Sequence, residues 1–234
     1  MIGAVILAGG QGKRMRSNVQ KQYMTLCGKP LIVYALEAFE NSPVDVLVLV
    51  TAAGEEAYAQ KEIVDAYGIT KVKAVVAGGK ERCHSVYEGL KMLEACDYIL
   101  IHDGARPLVT GDVIERAIAG AREYQACVVG MPVKDTIKVS DDDGFAKATP
   151  ERSRLWQVQT PQAFEYSLVR NAYDQIMREP QMQKGVTDDA MVVESRTHHK
   201  VKLIEGSYEN LKVTTPEDML LAEALLCGRM ADGG

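Results

Sequence analysis

The segment AVILAGGQGKRM, residues 4–15, sets the expected fold of this 234-residue chain. A short apolar run, typical of a buried strand, leads directly into three closely spaced glycines. Two cations, Lys13 and Arg14, follow at once. Glycines let the backbone turn sharply and bring its N–H groups close to an anion, and side-chain cations add charge to such a site. The segment therefore predicts a strand followed by a phosphate-binding loop, with a solvated surface turn as the alternative interpretation.

The same alternation continues through the first half of the chain. Continuous apolar strands separated by amphipathic helices are typical of a parallel sheet covered by helices on both faces. We therefore expect an α/β protein with a Rossmann-like, mostly parallel twisted sheet, whose ligands lie at the carboxyl ends of the strands. The predicted strands are 3–8, 44–51, 72–77, 98–102 and 126–131, the predicted helices are about 30–41, 55–67, 82–95 and 111–124, and the loops facing the ligand are 9–22, 78–85 and 103–110.

The pattern changes at 133–155, where apolar and polar residues alternate on both sides of Asp143-Gly144. Asp-Gly is a strong hairpin signal, and it favours turn chemistry over a metal site for the three aspartates 141–143. An isolated hairpin is marginally stable in water, so we expect this arm to pack against a second copy of the chain in a homodimer. We treat 1–234 as a single domain carrying this arm. After it we expect helices at about 164–178 and 188–196, strands at 200–205 and 210–213, and a closing helix that begins near Thr215.

Composition narrows the possible classes of protein. Apolar residues make up 47% and charged residues 25%, which is ordinary for a globular chain. The net charge of −5 argues against general nucleic-acid binding, so any anion must be held by a local group of cations. Five scattered cysteines fit a reducing compartment, and neither a signal-peptide pattern nor a long apolar run is evident. We expect a cytoplasmic protein with no membrane partner.

Two further loops offer candidate ligand-binding residues. Ser85 follows Gly78-Gly79 and would either contact a ligand or cap the next helix. Asp103 ends a predicted strand in the segment IHDGARP, close to Arg106. A carboxylate there suits a Mg²⁺ ion that bridges nucleotide phosphates, because Mg²⁺ usually takes only one or two protein carboxylates. The alternative is an Asp–Arg surface pair.

Seven segments, in order over roughly residues 2–227, resemble the methylerythritol-phosphate cytidylyltransferases of the non-mevalonate isoprenoid pathway. They are LAGGxGxRM followed by KQ, GGxxRxxSV, HDGARP, PVKDTIK, LWxxQTPQAF, TDDA (187–190) and NLKVTTPED (210–218). The resemblance implies a nucleotidyltransferase that uses Mg²⁺ to form CDP-methylerythritol and pyrophosphate from CTP and methylerythritol 4-phosphate.

The resemblance also implies roles for individual residues. Arg14 and Lys21 match the catalytic cations, and the metal would lie at Asp103. The positions matching the CTP-binding loops are Ala8, Gly9, Gly10, Gly79 and Ser85. The positions matching the substrate pocket are Asp103, Arg106, Thr160 and Lys212, joined by Thr136 and Arg152 from the arm of the partner subunit. One departure is Lys80, where related enzymes often carry an acidic residue.

Three alternative functions stay open at this point. Ribitol-phosphate cytidylyltransferase is a close relative, although the pocket segments favour methylerythritol phosphate. An NAD-linked dehydrogenase would share the fold pattern, but it would carry GxGxxG and an acidic residue where the second strand ends in Thr51-Ala52-Ala53. A non-catalytic nucleotide-binding regulator would not need Arg14, Lys21 and Asp103 together.

Overall fold

A central sheet organises the computed structural model, which describes residues 1–10 and 20–232. The strands are β1 (Ile2–Leu7), β2 (Thr25–Leu26), β3 (Lys29–Pro30), β4 (Val46–Thr51), β5 (Val72–Ala77), β6 (Tyr98–Asp103), β7 (Ala126–Pro132), β8 (Val139–Ser140), β9 (Ala146–Ala148), β10 (Trp156–Glu165) and β11 (Lys202–Glu205). Seven strands of the described residues form the central sheet in the order β11-β7-β10-β6-β1-β4-β5, and β10 alone runs antiparallel to its neighbours. The mostly parallel sheet predicted from the sequence is confirmed.

Helices cover both faces of this sheet. They are α1 (Leu31–Glu40), α2 (Glu56–Tyr58) continued by a π-helical segment (Ala59–Asp65), α3 (Arg82–Lys91), α4 (Gly111–Tyr124), α5 (Tyr166–Met177), α6 (Pro180–Gln183), α7 (Asp189–Thr197) and α8 (Pro216–Asp232). Successive side chains of β1 enter different apolar clusters: Ile6 packs with helices α1 and α4 on one face, and Val5 packs with α3, α5 and α7 on the other. No helix in the described part of the chain is both long and apolar enough to cross a bilayer.

In the second half, the described structure contains one strand that the sequence did not predict and lacks one that it did. The sequence did not predict β10, which occupies 156–165 and delays the next helix until Tyr166. Pro161 lowers the strand signal because proline cannot donate to a ladder, and the register shift between Val158 and Gln162 accommodates it. The strand expected at 210–213 is absent from the described structure, because this segment uses irregular bonds instead, such as that from the Val213 N–H to the Ala105 carbonyl (2.9 Å).

The predicted hairpin is present, although its paired strands β8 and β9 are short. The Asp141 carboxylate accepts hydrogen bonds from the backbone N–H groups of Asp143 (3.1 Å) and Phe145 (2.8 Å), and Gly144 has φ +86°. The aspartates therefore build a turn, as the sequence predicts. Phe145 is 73% exposed at the tip, so the arm leaves apolar surface uncovered by its own chain.

Candidate active site

The carboxyl ends of β1, β4, β5 and β6 open into a cleft of about 1040 Å³. This is the sheet edge at which parallel α/β folds bind ligands, and most of its lining residues come from the three loops expected to face the ligand. The cleft is lined by Leu7, Gly9, Gly10, Lys21, Gln22, Thr51, Ala52, Ala53, Gly78, Gly79, Lys80, Glu81, Arg82, Ser85, Asp103, Ala105, Lys212 and Thr214.

Gly9 and Gly10, at the start of the glycine loop, lie in one wall of the cleft. Gln22 is buried, and its side-chain amide donates to the carbonyls of Ala8 and of Gly10 (3.0 Å), which fixes the start of the loop. Gln22 was not predicted as a functional residue from the sequence. Lys21 lines the cleft from a 3-10 turn and is largely buried, whereas Arg14 lies outside the described residues.

Ala8 does not line the cleft. Its N–H donates to the Val50 carbonyl (2.7 Å), and its own carbonyl accepts from Gln22. The backbone N–H and carbonyl of Ala8 are thus both bonded within the protein, so Ala8 anchors the start of the glycine loop and does not face the cleft.

Ser85 is placed inside helix α3, so the capping alternative for this residue is wrong. Glu81 occupies the cap position, and the Ser85 hydroxyl accepts from the Gly79 N–H (3.2 Å). A Cβ at Gly78 would lie 2.6 Å from Ser85 Oγ and 3.0 Å from the Thr51 carbonyl oxygen, so a larger residue would displace the hydroxyl from this position. The hydroxyl therefore braces the glycine turn at the cleft.

A smaller pocket of about 220 Å³ adjoins the cleft. Three charged side chains line both cavities: Arg82, Asp103 and Lys212. The remaining lining residues of the small pocket are Arg106, Val158, Gln159, Thr160, Gln162, Thr187 and Asp188. The structure thus brings together the Asp103, Arg106, Thr160 and Lys212 predicted from the sequence, and β10 supplies much of the wall.

Asp103 is the carboxylate at the junction of the two cavities. Lys212 Nζ lies 2.7 Å from its Oδ2, and Arg82 Nε lies 3.5 Å from its Oδ1. Burial disfavours ionisation of this carboxyl group, but the charges of Arg82 and Lys212 outweigh it and hold the Asp103 pKa well below its usual range. Asp103 is therefore a buried anion paired with two cations, which excludes the exposed Asp–Arg pair considered above.

A chain of hydrogen bonds fixes Thr160 beside Asp103. The His102 Nε2 faces the Arg106 carbonyl (3.3 Å), which can only accept, so this nitrogen carries the hydrogen and Nδ1 accepts from the Thr160 hydroxyl (3.0 Å). The same hydroxyl accepts from the Asp103 N–H (3.1 Å). Because its one hydrogen is committed to His102, Thr160 has no donor left for a phosphate in this arrangement.

Arg106 supplies a buried cation to the small pocket. Its guanidinium donates to the carbonyls of Asn210 (2.7 Å) and Val158 (3.5 Å), and its Nε has no hydrogen-bond partner among the described residues. Burial lowers the Arg106 pKa. A buried guanidinium bonded to backbone carbonyls keeps its charge available, so it can receive an anion in the pocket.

Two predicted site residues lie elsewhere. Thr136 and Arg152 are exposed on the arm and line neither cavity. The Arg152 guanidinium donates to the Lys134 carbonyl of the same arm (3.1 Å). Within one chain they are not part of the site.

Arg82 and Asp189 were not predicted as functional residues. Their side chains form a paired contact of 2.7 and 2.8 Å although they lie 107 positions apart in sequence. One sequence signal could have pointed to Arg82, because it is a cation at the first position of helix α3. A cation is unfavourable at the positive end of the helix dipole unless a carboxylate offsets it.

The residues at the cleft fit a metal ion that is held mainly by the phosphates of a bound substrate. No group of three His, Cys, Asp or Glu side chains that could hold a metal occurs among residues 1–10 and 20–232. Asp103 offers a single carboxylate at the cleft, which matches the usual habit of Mg²⁺ in binding one or two carboxylates plus substrate phosphates.

The chain resembles known proteins in both sequence and fold. Residues 2–228 match the family model of 2-C-methyl-D-erythritol 4-phosphate cytidylyltransferase. The enzyme of that name from Lachnoclostridium phytofermentans is 47% identical over 96% of both chains, and that from Alkaliphilus oremlandii is 46% identical over 95% of this chain and 93% of its own. The crystal structure of 4-diphosphocytidyl-2C-methyl-D-erythritol synthase from Anaerococcus prevotii superposes with a TM-score of 0.84 at 32% identity, covering 96% of this chain and 95% of the other. The chain therefore belongs to the 2-C-methyl-D-erythritol 4-phosphate cytidylyltransferase family.

Proposed function

We propose that the large cleft binds CTP and that the adjoining small pocket binds the phosphate of methylerythritol 4-phosphate. The chain is a cytidylyltransferase that converts these two substrates to CDP-methylerythritol and pyrophosphate. The observation that carries the assignment of the cavities is their junction at Asp103 and Lys212, which line both. The comparisons give no support to ribitol phosphate as the substrate.

The reaction needs charge neutralisation more than it needs a general base. The attacking phosphate monoester is already mostly dianionic at neutral pH because its second pKa is about 6. The barrier is the approach of this anion to the α-phosphorus of a triphosphate, and fixed cations lower it. We assign Lys21 and Arg14 to the triphosphate and Arg106 and Lys212 to the attacking phosphate, with pyrophosphate leaving opposite.

Within the cleft, Gly9, Gly10, Gly79 and Ser85 are assigned to CTP. Ala8 anchors the start of the glycine loop through its carbonyl, which accepts from Gln22. Thr160 positions Asp103, because its hydroxyl accepts from the Asp103 backbone N–H. Asp103 is the residue that would hold Mg²⁺, which supplies charge neutralisation on the nucleotide phosphates when bound.

We further propose that the enzyme works as a homodimer in which the arms, about 133–155, reach the partner's site. Thr136 and Arg152 would complete that site in trans. The support is the exposed apolar tip of the arm and the position of both residues outside either cavity of their own chain. A cytoplasmic location stays a prediction from the sequence.

The direct test measures pyrophosphate release by the purified protein with CTP and Mg²⁺. Methylerythritol 4-phosphate should support turnover and formation of CDP-methylerythritol, whereas ribitol 5-phosphate should not. Omitting Mg²⁺ and adding a chelator should abolish release. Turnover with ribitol 5-phosphate at a comparable kcat/KM would contradict the substrate assignment.

A further inference from the structure

Arg82 lies where the two cavities meet. Its guanidinium donates to both carboxylate oxygens of Asp189, at 2.7 and 2.8 Å, and its Nε lies 3.5 Å from Asp103 Oδ1. Two carboxylates thus already offset its charge, whereas the guanidinium of Arg106 is bonded to backbone carbonyls. An arginine whose planar fork is occupied by a carboxylate fixes geometry more than it recruits another anion.

Asp189 anchors this contact from a position that no substrate reaches. It is fully buried and lines neither cavity. The Tyr173 hydroxyl donates to its Oδ1 (2.6 Å), and its backbone N–H donates to Gln162 Oε1 (3.0 Å). Asp189 begins helix α7 directly after Thr187 and Asp188, which line the small pocket.

We propose that Arg82 is a positioning residue, which fixes the nucleotide-binding loop 78–81 against the substrate-binding segment 187–188 through its paired contact with Asp189. The inference rests on the proposed function, since it assigns one cavity to each substrate. Arg82 begins helix α3 just as Asp189 begins α7, so the contact joins the starts of the two helices that follow these segments. In-line attack depends on placement to within about an ångström, and a misplacement of that size can cost on the order of 10²-fold in rate.

The first test is Asp189→Asn, which keeps the side-chain shape and removes the charge. We expect kcat/KM to fall for both CTP and methylerythritol 4-phosphate, on the order of 10²-fold, although Asp189 can touch neither. Arg82→Lys should not restore activity relative to Arg82→Gln, because an ammonium group cannot make the paired contact.

The double variant Arg82→Gln/Asp189→Asn separates positioning from direct anion binding. If Arg82 acts through Asp189, the kcat/KM of the double variant is no lower than that of Arg82→Gln alone, because either substitution already removes the same contact. If Arg82 binds an anion independently, the two losses multiply. If the contact only stabilised the fold, the variants would unfold at a lower temperature while the kinetic constants of the folded protein stayed unchanged.

Two further variants keep the test decisive if Asp189→Asn does not fold. Tyr173→Phe removes one hydrogen bond to Asp189 and lines neither cavity, so it should cause a smaller loss with both substrates. Arg196→Gln is the matched control, since Arg196 lies on the same helix and pairs with Glu179 (3.4 Å). Its kinetic constants should equal those of the wild type.

The outcomes distinguish the two claims. A wild-type protein that forms no CDP-methylerythritol would overturn the proposed function. An active wild type with multiplicative losses in the double variant, or with losses confined to one substrate, would overturn the positioning role and leave the function intact. Unchanged kinetics in Tyr173→Phe would overturn it as well.

Discussion

Lys21 is the described residue on which charge neutralisation in the cleft depends most directly. It lines the cleft from a 3-10 turn. The turn is held by backbone hydrogen bonds, such as that from the Met24 N–H to the Lys21 carbonyl (3.2 Å), which a substitution of the side chain leaves in place. We expect Lys21→Ala to fold and to lose on the order of 10²–10³ in kcat, the typical cost of removing one charge-stabilising donor. Lys21→Arg should not rescue fully, because a planar fork does not replace a compact ammonium group.

Steady-state kinetics and thermal unfolding of Lys21→Ala check this expectation. Lys29→Ala is the matched control, because Lys29 pairs with Glu37 at the nearby surface and does not line the cleft. Near-normal turnover in Lys21→Ala would remove Lys21 from the mechanism. From the sequence alone we expect Arg14→Ala to behave in the same way.

His102 gives the site a measurable pH dependence of stability. The ring is fully buried between the Thr160 hydroxyl and the Arg106 carbonyl. Burial is the largest influence and lowers the His102 pKa to about 4; the Asp103 carboxylate opposes it, and the charges of Arg106 and Lys212 reinforce it. The folded protein therefore holds a neutral imidazole at pH 7.

The unfolded chain binds this proton more readily, since an unperturbed histidine has a pKa of about 6.5. The contribution of His102 to the free energy of unfolding is thus fully present above that value and is lost as the pH falls toward 4. We expect a loss of about 2 kcal/mol between pH 7 and pH 5. Urea unfolding at both values should show this loss in the wild type and in the exposed control His198→Gln, but not in His102→Gln. The same loss in His102→Gln would refute the assignment.

Helix α3 must lie close to the sheet to present Arg82 and Ser85 to the cleft. Gly89 permits this approach, since a Cβ there would lie 2.5 Å from Val5 Cγ1 and 3.1 Å from Val50 Cγ2. Gly89→Ala should therefore lower the free energy of unfolding by about 1–2 kcal/mol, because overpacking outweighs the better helix propensity of alanine.

Gly228→Ala makes the same chemical change inside helix α8, where nothing lies within 4 Å of the added Cβ. It should raise the free energy of unfolding by up to about 1 kcal/mol. Denaturant titration of both variants measures the two signs. A stabilising Gly89→Ala would show that α3 can move away from the sheet without cost.

Some of the helices and strands could be predicted from the sequence, and others could not. The parallel strands and their glycine loops were predictable because their signal is local: an apolar run followed by residues that turn. Strand β10 was not, since Pro161 interrupts it and a proline argues against a central strand. The contact of Arg82 with Asp189 could not be found from spacing either, because it joins residues 107 positions apart and depends on how α3 and α7 pack.

The arm bears exposed apolar side chains that a dimer would cover. Ile137, Val139 and Phe145 are exposed on it, with Phe145 at 73%, and a hairpin this short is not independently stable in water. A second copy of the chain would cover this surface and would receive Arg152. We therefore expect sedimentation to show a dimer, and Phe145→Asp to shift it toward monomer with loss of activity; a wild-type monomer would refute the assembly.

Trans donation is tested by mixing two inactive variants, Lys21→Ala and Arg152→Ala, after partial unfolding and reassociation. If the arm of one protomer completes the site of its partner, one site of the hybrid dimer combines both lesions and the other carries neither. Activity should then return in the mixture although each parent stays inactive, and its amount should follow the fraction of hybrid measured by native mass spectrometry. If Arg152 instead served the site of its own chain, each site of the hybrid would keep exactly one lesion, and a demonstrated hybrid would remain inactive. The same experiment therefore decides whether the catalytic unit is one chain or two.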